Sequence, residues 1–558
     1  MTTQAMPFSM AAAAAVPRPR FQNLRGWNQT QSEIQQERVA TNMKVAELKA
    51  ISTKLVHAEG AALLGLLSEL RAQLSTRTRP PVQEALESEI PEALVSCFRR
   101  GLEAPAALEA AWVVTNLATG TSAQTAHLLE LGLGQVLADG LNHPSMAKWP
   151  ELCDQLLWAL GNMAGDPDVR VRDSLLSMGA VGILGRLFSR MPDFEWNVPS
   201  RTQVLRSLTW LLSSLCRGSP APAFEEVACL IDYFVQVVAG SDDERMLAEA
   251  LWGLTYLIES AESSSEVTDR VARLLRAGYH PGEVAPEPHP VLAKVVACSG
   301  VLGHPQNPLV PPAVRLIGSL LRSCDSVALR QTIDAGALGA LRVLLLDGNA
   351  PLPLRRDVAW ALSNLAAGAT EYSQKLMLEP DLWEALLMTV DQGLTKELRV
   401  ESLWCVLNIT KRCFAPAGSS DVAMSGRKPE PRQVLSLIAK TLRKETFDST
   451  LNRALLDVAE LALRQGEEGV KLKALKATAL VRHAQDIGLL DELEAFQRSG
   501  EASTQRKANY MIDTWFGSGT ENDAPTPKDL KARAGSNTPS AIAGSKSPGR
   551  RAAYQFGA

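Results

Sequence analysis

The sequence lacks the features that would place it among enzymes or membrane proteins. No apolar run reaches about 18 residues, so we expect no membrane-spanning helix. A Gly-x-Ser-x-Gly elbow, a phosphate loop and a dinucleotide-binding glycine pattern are missing, and the seven histidines are dispersed. We therefore expect no enzyme, no metal site and no cofactor.

Cysteines are few and scattered for a chain of 558 residues. The eight cysteines form no Cys-x-x-Cys pair, and none lies near a histidine at metal-binding spacing. In a chain of this length, that pattern predicts buried thiols in a reducing compartment, which means the cytoplasm or the nucleus.

Aromatic residues are also scarce, at 5 %, while 46 % of the chain is apolar and mostly Leu, Ala and Val. This balance favours helices over sheets. The net charge of −4 hides an uneven distribution. Residues 1–58 carry seven Lys/Arg against three Glu, and residues 519–558 carry six Lys/Arg against three acids, so the residues between them have a net charge of −11. An acidic body suits a basic partner and argues against direct nucleic-acid binding.

The aromatics that are present recur in a pattern. Six times a Trp leads a helix-like apolar run, as in AAWVVTNLATG and LLWALGNMAGD, at Trp112, Trp158, Trp210, Trp252, Trp360 and Trp404. Successive spacings are 46, 52, 42, 108 and 44 residues, and the interval of 108 holds one further unit with Arg315 at the Trp place. A period in the low-to-middle forties is typical of armadillo or HEAT-type helical repeats.

An Asn follows the Trp by four residues in four of these units, at Asn116, Asn162, Asn364 and Asn408. Residues four apart share one helix face, so stacked repeats would align the two residue types in parallel ladders. The Asn amides could hold a peptide backbone, and slots between Trp rings could hold Lys or Arg side chains through cation–π contacts. Two structural alternatives stay open: the Trp could fill the core, and the Asn could make an interhelical hydrogen bond.

These residues resemble the importin alpha family, adaptors for nuclear localisation signals. AAWVVTNLATGTSAQT is similar to the second armadillo repeat of that family, and WALGNMAGDPDVRVRDSLLSMGAV to the third. LTWLLSSLCRGSPAPAFEEV resembles the fourth repeat, and LLDELEAFQRSGEASTQRKANYMIDTWFG the last. The resemblance implies an all-α, right-handed superhelical armadillo-repeat solenoid of about ten repeats.

The resemblance also implies two peptide-binding grooves. The major groove would use Trp112, Asn116, Gly120, Thr125, Trp158, Asn162, Asp166, Trp210, Ser214, Glu249 and Trp252. The minor groove would use Arg315, Ser319, Trp360, Asn364, Glu401, Trp404 and Asn408. Gly120 and Thr125 would frame the deepest lysine pocket and Asp166 would be its charged partner, although an Asp there could instead cap the next helix. Two grooves imply signals with two basic clusters, which gain avidity by binding both.

The domain prediction has three parts. Residues 1–58 resemble a degenerate importin-beta-binding segment, helical from about residue 30 to 54, in which most of the family's basic residues are missing. Residues 59–518 would form the solenoid, with an insertion in the Pro/Gly-rich stretch 284–312 and a loop at 415–431. Residues 519–558 are predicted to be a disordered basic tail.

The function implied is that of a nuclear import adaptor, which binds Lys/Arg-rich signals of cargo proteins and links them to importin beta. Importin beta binding and autoinhibition would be weak, because the N-terminal segment is poor in arginine. Ser214 and Ser319 replace family Asn residues and should weaken the grip on a peptide. The last repeat, with Asp491, Glu492 and Glu494, would contact an export receptor. The alternative is an armadillo scaffold that keeps the groove but acts outside the import cycle.

Overall fold

The computed structural model describes residues 31–75, 80–260, 265–277, 290–300, 307–322, 326–414, 427–465 and 478–517. All regular elements in these ranges are helices, as expected for an all-α chain. The chain divides into two compact units between Val267 and Thr268, which we call unit 1 and unit 2. No helix in the described ranges is both long and apolar enough to cross a bilayer.

Unit 1 begins with the helices Gln31–His57 and Gly60–Leu74 and continues with a repeating triplet of helices. The first helices of the triplets are Val82–Glu87, Ser122–Glu130, Val169–Ser177 and Phe224–Val227. The second helices are Ile90–Arg100, Leu133–Asn142, Ala180–Arg190 and Leu230–Gly240. The third helices are Ala104–Leu117, Pro150–Ala164, Val198–Cys216 and Glu244–Ser260. Two 3-10 turns, Pro144–Lys148 and Met191–Asp193, precede two of the third helices.

Unit 2 repeats the triplet. Its first helices are Ser265–Ala277 (which starts just before the division), Ser326–Asp334, Thr370–Leu378 and Ala479–Asp486. Its second helices are Pro290–Ser299, Ala337–Leu346, Leu382–Gln392, Pro431–Lys444 and Leu489–Ser499. Its third helices are Val310–Leu320, Leu352–Ala366, Lys396–Cys413, Ser449–Arg464 and Ala502–Met511, followed by a π-helical turn at Ile512–Phe516.

The Trp–Asn pattern falls on the third helices, and the seven that carry it are called ladder helices here. Within each unit, consecutive ladder helices pack on one another. In the ladder helix Pro150–Ala164, Leu156, Leu157 and Leu160 are buried, whereas Trp158 and Asn162 are half-buried. A helix that is apolar on most of its surface needs neighbours on several sides, and the triplet supplies them. Each buried Leu contributes about 1.5–3 kcal/mol of hydrophobic stabilisation.

The turn between the first and second helices holds a left-handed residue in most triplets, although the turn before Leu230–Gly240 has none. Gly132 (φ 92°) and Gly179 (φ 76°) occupy this position in two triplets, since glycine adopts the left-handed conformation at little cost. Two triplets place a residue with a side chain at the same turn, Glu89 (φ 61°) and Asp381 (φ 58°). At Glu89, the backbone oxygen accepts a hydrogen bond from the hydroxyl of Ser52 at 3.0 Å, which holds the strained turn in place.

Two expectations about the positions of helices can be compared with the structure. The helix Gln31–His57 agrees with the predicted helical stretch, and its Leu48, Ile51 and Leu55 are buried in unit 1, so packing begins within the segment predicted to be separate. The stretch Pro290–Ser299 is not part of an insertion but a helix that packs on Val310–Leu320.

The expectation of buried thiols holds for six cysteines, Cys97, Cys153, Cys216, Cys298, Cys405 and Cys413. It is wrong for Cys229, which is exposed where a four-residue helix meets the next one. Cys324, residues 415–426 of the predicted loop 415–431 and the predicted tail 519–558 lie outside the described residues.

Candidate peptide-binding surfaces

The predicted site residues fall into two rows, one in each unit. The first row, in unit 1, consists of Trp112, Trp158, Trp210 and Trp252 with the residues four positions later, Asn116, Asn162, Ser214 and Tyr256. The second row, in unit 2, consists of Arg315, Trp360 and Trp404 with Ser319, Asn364 and Asn408. No group of His, Cys, Asp or Glu in the described ranges could hold a metal ion.

The Asn residues make interhelical hydrogen bonds, which is the structural alternative that the sequence left open. The Nδ2 of Asn162 donates to the backbone oxygen of Thr115 at 3.3 Å. In the second row, Asn364 donates to Gly318 O at 3.0 Å and Asn408 to Ser363 O at 3.2 Å. Each accepting oxygen belongs to the last four residues of the preceding ladder helix, where carbonyl groups have few helical partners. Of the three, Ser363 O also accepts the backbone N–H of Ala367 at 3.0 Å. The Asn therefore caps its neighbour, which explains an otherwise unfavourable residue within a helix.

Asn116 differs because its acceptor is a side chain and not a backbone oxygen. Its Nδ2 donates to the hydroxyl of Ser75 at 3.0 Å. Asn116 and Asn162 are half-buried, whereas Asn364 and Asn408 are buried. Only the first-row Asn side chains keep surface that a bound peptide could reach.

Between Trp112 and Trp158 there is no open slot of the kind that the sequence suggested. The ring centroids of Trp112 and Trp158 lie 5.8 Å apart with an interplanar angle of 59°, so the two rings touch. A Lys stem could enter between them only if the rings moved apart. Arg71 already covers another part of Trp112, with its guanidinium carbon 5.7 Å from the ring centroid and its Nε 2.6 Å from Glu109 Oε2.

The remaining rings lie on small residues or on each other. A Cβ added at Gly161 would clash with the six-membered ring of Trp210, and one at Gly318 would clash with that of Trp360. Trp252 stacks on Tyr256, with centroids 5.5 Å apart and an angle of 16°. Because glycine has no Cβ, the rings of Trp210 and Trp360 can lie directly on the backbone of the preceding ladder helix. This tight packing fixes neighbouring ladder helices against each other.

A sequence signal for this packing was missed. The residue three positions after the Trp place is small in six of the seven ladder helices. These residues are Thr115, Gly161, Ser213, Thr255, Gly318 and Ser363, and the exception is Leu407. The pattern could have predicted that a Trp rests on the preceding ladder helix, as Trp210 and Trp360 do.

The residues predicted to frame the lysine pocket lie at or near the starts of the helices Ser122–Glu130 and Val169–Ser177. Thr121 and Gln124 form a reciprocal capping box, and a side chain at Gly120 would displace the Gln124 amide. The buried Thr125 donates its hydroxyl to Thr121 O at 3.2 Å. Asp166 is also buried, and its Oδ1 accepts the backbone N–H of Asp168 at 2.9 Å. The cap of the next helix, Val169–Ser177, is Asp168 and not Asp166, and Asp166 fixes the turn just before that cap.

Glu249 is the other acid of the first row. Its Oε2 accepts a short hydrogen bond from the hydroxyl of Ser213, which also lies close to Trp210 O at 3.0 Å. Burial raises the pKa of Glu249 to about 7, against the smaller opposing effects of Ser213 and Arg217. A carboxyl poised near neutrality gains charge readily when a cation approaches.

The second row carries charged groups of both signs. The guanidinium carbon of Arg315 lies 4.6 Å from the ring centroid of Trp360, and its Nη1 lies 3.4 Å from Asp357 Oδ1. Arg356 Nη2 contacts the same carboxylate at 2.9 Å. Burial raises the pKa of Glu401 to about 7, with Arg356 and Arg315 opposing the rise and Asp357 adding to it. Trp404 and Ser319 are buried.

The acids predicted to meet an export receptor lie at the other end of unit 2. Asp491, Glu492 and Glu494 belong to the helix Leu489–Ser499. Glu494 Oε2 is 3.5 Å from Arg498 Nη1, an exposed contact of small energetic value. Partial burial raises the pKa of Glu492 above its usual range, while Arg443 opposes the rise.

Comparison with known proteins identifies similar chains. The chain is 28 % identical over 321 residues to importin subunit alpha-1b of Oryza sativa subsp. japonica, which covers 58 % of this chain and 53 % of the rice protein. It is 27 % identical over 341 residues to importin subunit alpha-3 of Arabidopsis thaliana, covering 61 % and 57 %. The chain thus spans about half the length of the curated relatives it matches. No family model matches the chain.

Two solved structures share the fold. An engineered protein superposes with a TM-score of 0.62 at 16 % identity, over 84 % of this chain and 98 % of that one. A structure from a study of the interaction between cadherin and beta-catenin gives 0.59 at 14 % identity, over 84 % and 83 %. The chain is a distant homologue of the importin alpha subunits and has an all-α armadillo-repeat fold.

Proposed function

We propose that the chain is a nuclear import adaptor that binds Lys/Arg-rich segments of cargo proteins along the first row and links them to importin beta. The observation that carries the proposal is the coincidence of distant importin alpha homology with a first row whose Trp112, Trp158, Trp210 and Trp252 all keep exposed surface. Such an adaptor works in both cytoplasm and nucleus and catalyses no reaction.

The chemistry of the first row suits an extended basic segment. Half-buried indole rings offer faces for the stems and heads of Lys and Arg. Glu249 and Asp166 supply carboxylates in a body of net negative charge. Because the rings of Trp112 and Trp158 touch, a Lys stem between them separates the rings on binding, and part of the binding free energy is spent on that movement.

The test is a fluorescence-anisotropy titration of the full chain with a labelled Lys-Lys-Lys-Arg-Lys peptide. The reference peptide has its second Lys changed to Thr. We expect at least tenfold tighter binding of the all-basic peptide, and weaker binding as salt screens the contact. Equal affinity for the two peptides would contradict the proposal and make the row a structural feature alone.

A matched pair of variants locates the binding. Asp166→Asn keeps the acceptor that Asp168 uses but removes the charge, so we expect weaker binding in a correctly folded chain. Asp139→Asn makes the same charge change on the exposed side of a second helix and should leave the affinity unchanged. Equal effects of the two variants would mean that only the overall charge matters.

The link to importin beta depends on the N-terminal segment, and we propose that it is weak. Residues 1–58 hold only seven Lys/Arg. A pull-down should retain less importin beta than a family member with the full basic segment does. Deleting residues 1–43 should abolish that binding and leave the buried Leu48, Ile51 and Leu55 in place.

A second candidate is a scaffold outside the import cycle. The observation in its favour is that Arg71 already lies against Trp112 and is held there by Glu109. A scaffold would bind no basic peptide selectively, so the same titration separates the two functions.

A further inference from the structure

The second row is more deeply buried than the first. The exposed fraction is 1 % for Trp404, 2 % for Asn408 and 6 % for Asn364. A peptide cannot reach these side chains without moving the chain around them. The Nδ2 groups of both Asn residues are also engaged by backbone oxygens of the preceding ladder helices.

The ring of Trp360, which is half-buried, is covered by a cation of the chain itself. Arg315 lies 4.6 Å from the ring centroid, within the range of a cation–π contact, and its side chain is only 18 % exposed. Arg71 in the first row is 36 % exposed and lies further from its ring, at 5.7 Å. The internal cation is therefore held more firmly in the second row.

The acids of the second row are already balanced by positive charge. Asp357 contacts both Arg315 and Arg356, at 3.4 and 2.9 Å. Glu401 is the fourth charged group in this cluster, and its Oε2 is buried without a hydrogen-bond partner in the described residues. Two carboxyls thus face two guanidinium groups, which leaves little field for a cation from outside.

We propose that the second row is closed by Arg315 and Arg356, so that the ligand of this chain is an extended segment with a single basic cluster. The inference rests on the proposed function of the first row. A second basic cluster would have to displace Arg315 from Trp360 and expose Trp404 before it gained any contact. The avidity of two clusters is therefore lost.

The experiment compares three peptides on the full chain by anisotropy. One carries Lys-Lys-Lys-Arg-Lys alone, and the second adds a Lys-Arg pair ten residues upstream. The third has the same composition as the second, with the pair moved next to the main cluster to match the charge. We expect the second and third peptides to bind within about twofold of each other.

A gain of tenfold or more for the separated pair over the charge-matched control would overturn the inference while leaving the proposed function intact. Failure of the single-cluster peptide to outbind its Thr reference would overturn the proposed function, and this inference with it. If the separated-pair peptide did gain affinity, Glu401→Gln would show whether the gain arises at the second row, because only binding there should respond to this variant.

A pair of variants tests what closes the row. Arg315→Ala frees the face of Trp360, and we expect the separated pair then to gain about threefold or more in affinity. Arg322→Ala removes an exposed Arg just beyond the same ladder helix and should change nothing. If Arg315→Ala leaves the affinity of the separated-pair peptide unchanged, Arg315 does not close the row.

Discussion

Trp158 and Asn162 in unit 1 and Trp404 and Asn408 in unit 2 occupy the same places in the same motif, yet the first pair is half-buried and the second is buried. In both pairs, the Asn donates to the end of the preceding ladder helix. The motif therefore encodes how one repeat joins the next. Whether its side chains remain accessible is decided by the surrounding residues of each unit.

The largest expected contrast is in stability. Trp404→Ala removes a fully buried indole and should lower the free energy of unfolding by about 3–5 kcal/mol. Trp158→Ala removes a half-buried ring and its contact with Trp112, so we expect a loss of only about 1–2 kcal/mol. Urea unfolding followed by circular dichroism measures both, and equal losses would contradict the difference in burial.

The fold was predictable from this sequence because its repeat signal is redundant. Six Trp residues at a period in the forties, with turn glycines between them, fix the register of the helices. The burial of Trp404 was not predictable, because it depends on packing around a site whose local motif matches that of the half-buried Trp158. The contact of Arg71 with Trp112 joins residues 41 positions apart, and no local pattern indicates it.

Gly161 and Gly318 occupy corresponding places in the two rows, so the same substitution at each position tests the difference between the rows. Gly161→Ala and Gly318→Ala each drive a methyl group into a Trp ring, and each should cost about 1–3 kcal/mol. We expect Gly161→Ala also to weaken binding of the single-cluster peptide, because it displaces Trp210, whereas Gly318→Ala should not. Gly185→Ala, with open space around the added methyl, is the control in thermal unfolding and anisotropy. Equal effects on binding would remove the distinction between the rows.

The capping role of the Asn residues gives a smaller difference. Asn408→Ala deprives a buried carbonyl of one donor and should cost about 1–2 kcal/mol. At Asn162 the half-buried site allows water to replace the amide, so Asn162→Ala should cost about 0.5–1 kcal/mol. Chemical denaturation reports both, and a larger loss at Asn162 would reverse the predicted order.

The pH dependence of peptide binding should also separate the rows. The carboxylate of Glu249 binds a cation and the neutral acid does not, so with a pKa of about 7 the affinity should rise by up to about tenfold from pH 6 to 8. Lys and Arg of the peptide keep their charge over this range. Glu249→Gln should flatten the profile, whereas Glu401→Gln should leave it unchanged. A profile that falls with rising pH would contradict this role.

The free energy of unfolding should change with pH in the opposite direction to the peptide affinity. A folded-state pKa of about 7 for Glu401 lies above the ordinary Glu value, so the unfolded state loses its proton first as pH rises. The free energy of unfolding should therefore decrease between about pH 4.5 and 7. Glu401→Gln should reduce that slope in urea titrations at several pH values, and a slope unchanged by the variant would show that other groups dominate.

Hydrogen–deuterium exchange of the full chain, with and without the single-cluster basic peptide, tests the central claim most directly. We predict that the peptide slows exchange in the ladder helices Pro150–Ala164 and Val198–Cys216, and leaves Leu352–Ala366 and Lys396–Cys413 unchanged. Slower exchange in the second pair of helices would contradict the claim that only the first row is open to a ligand.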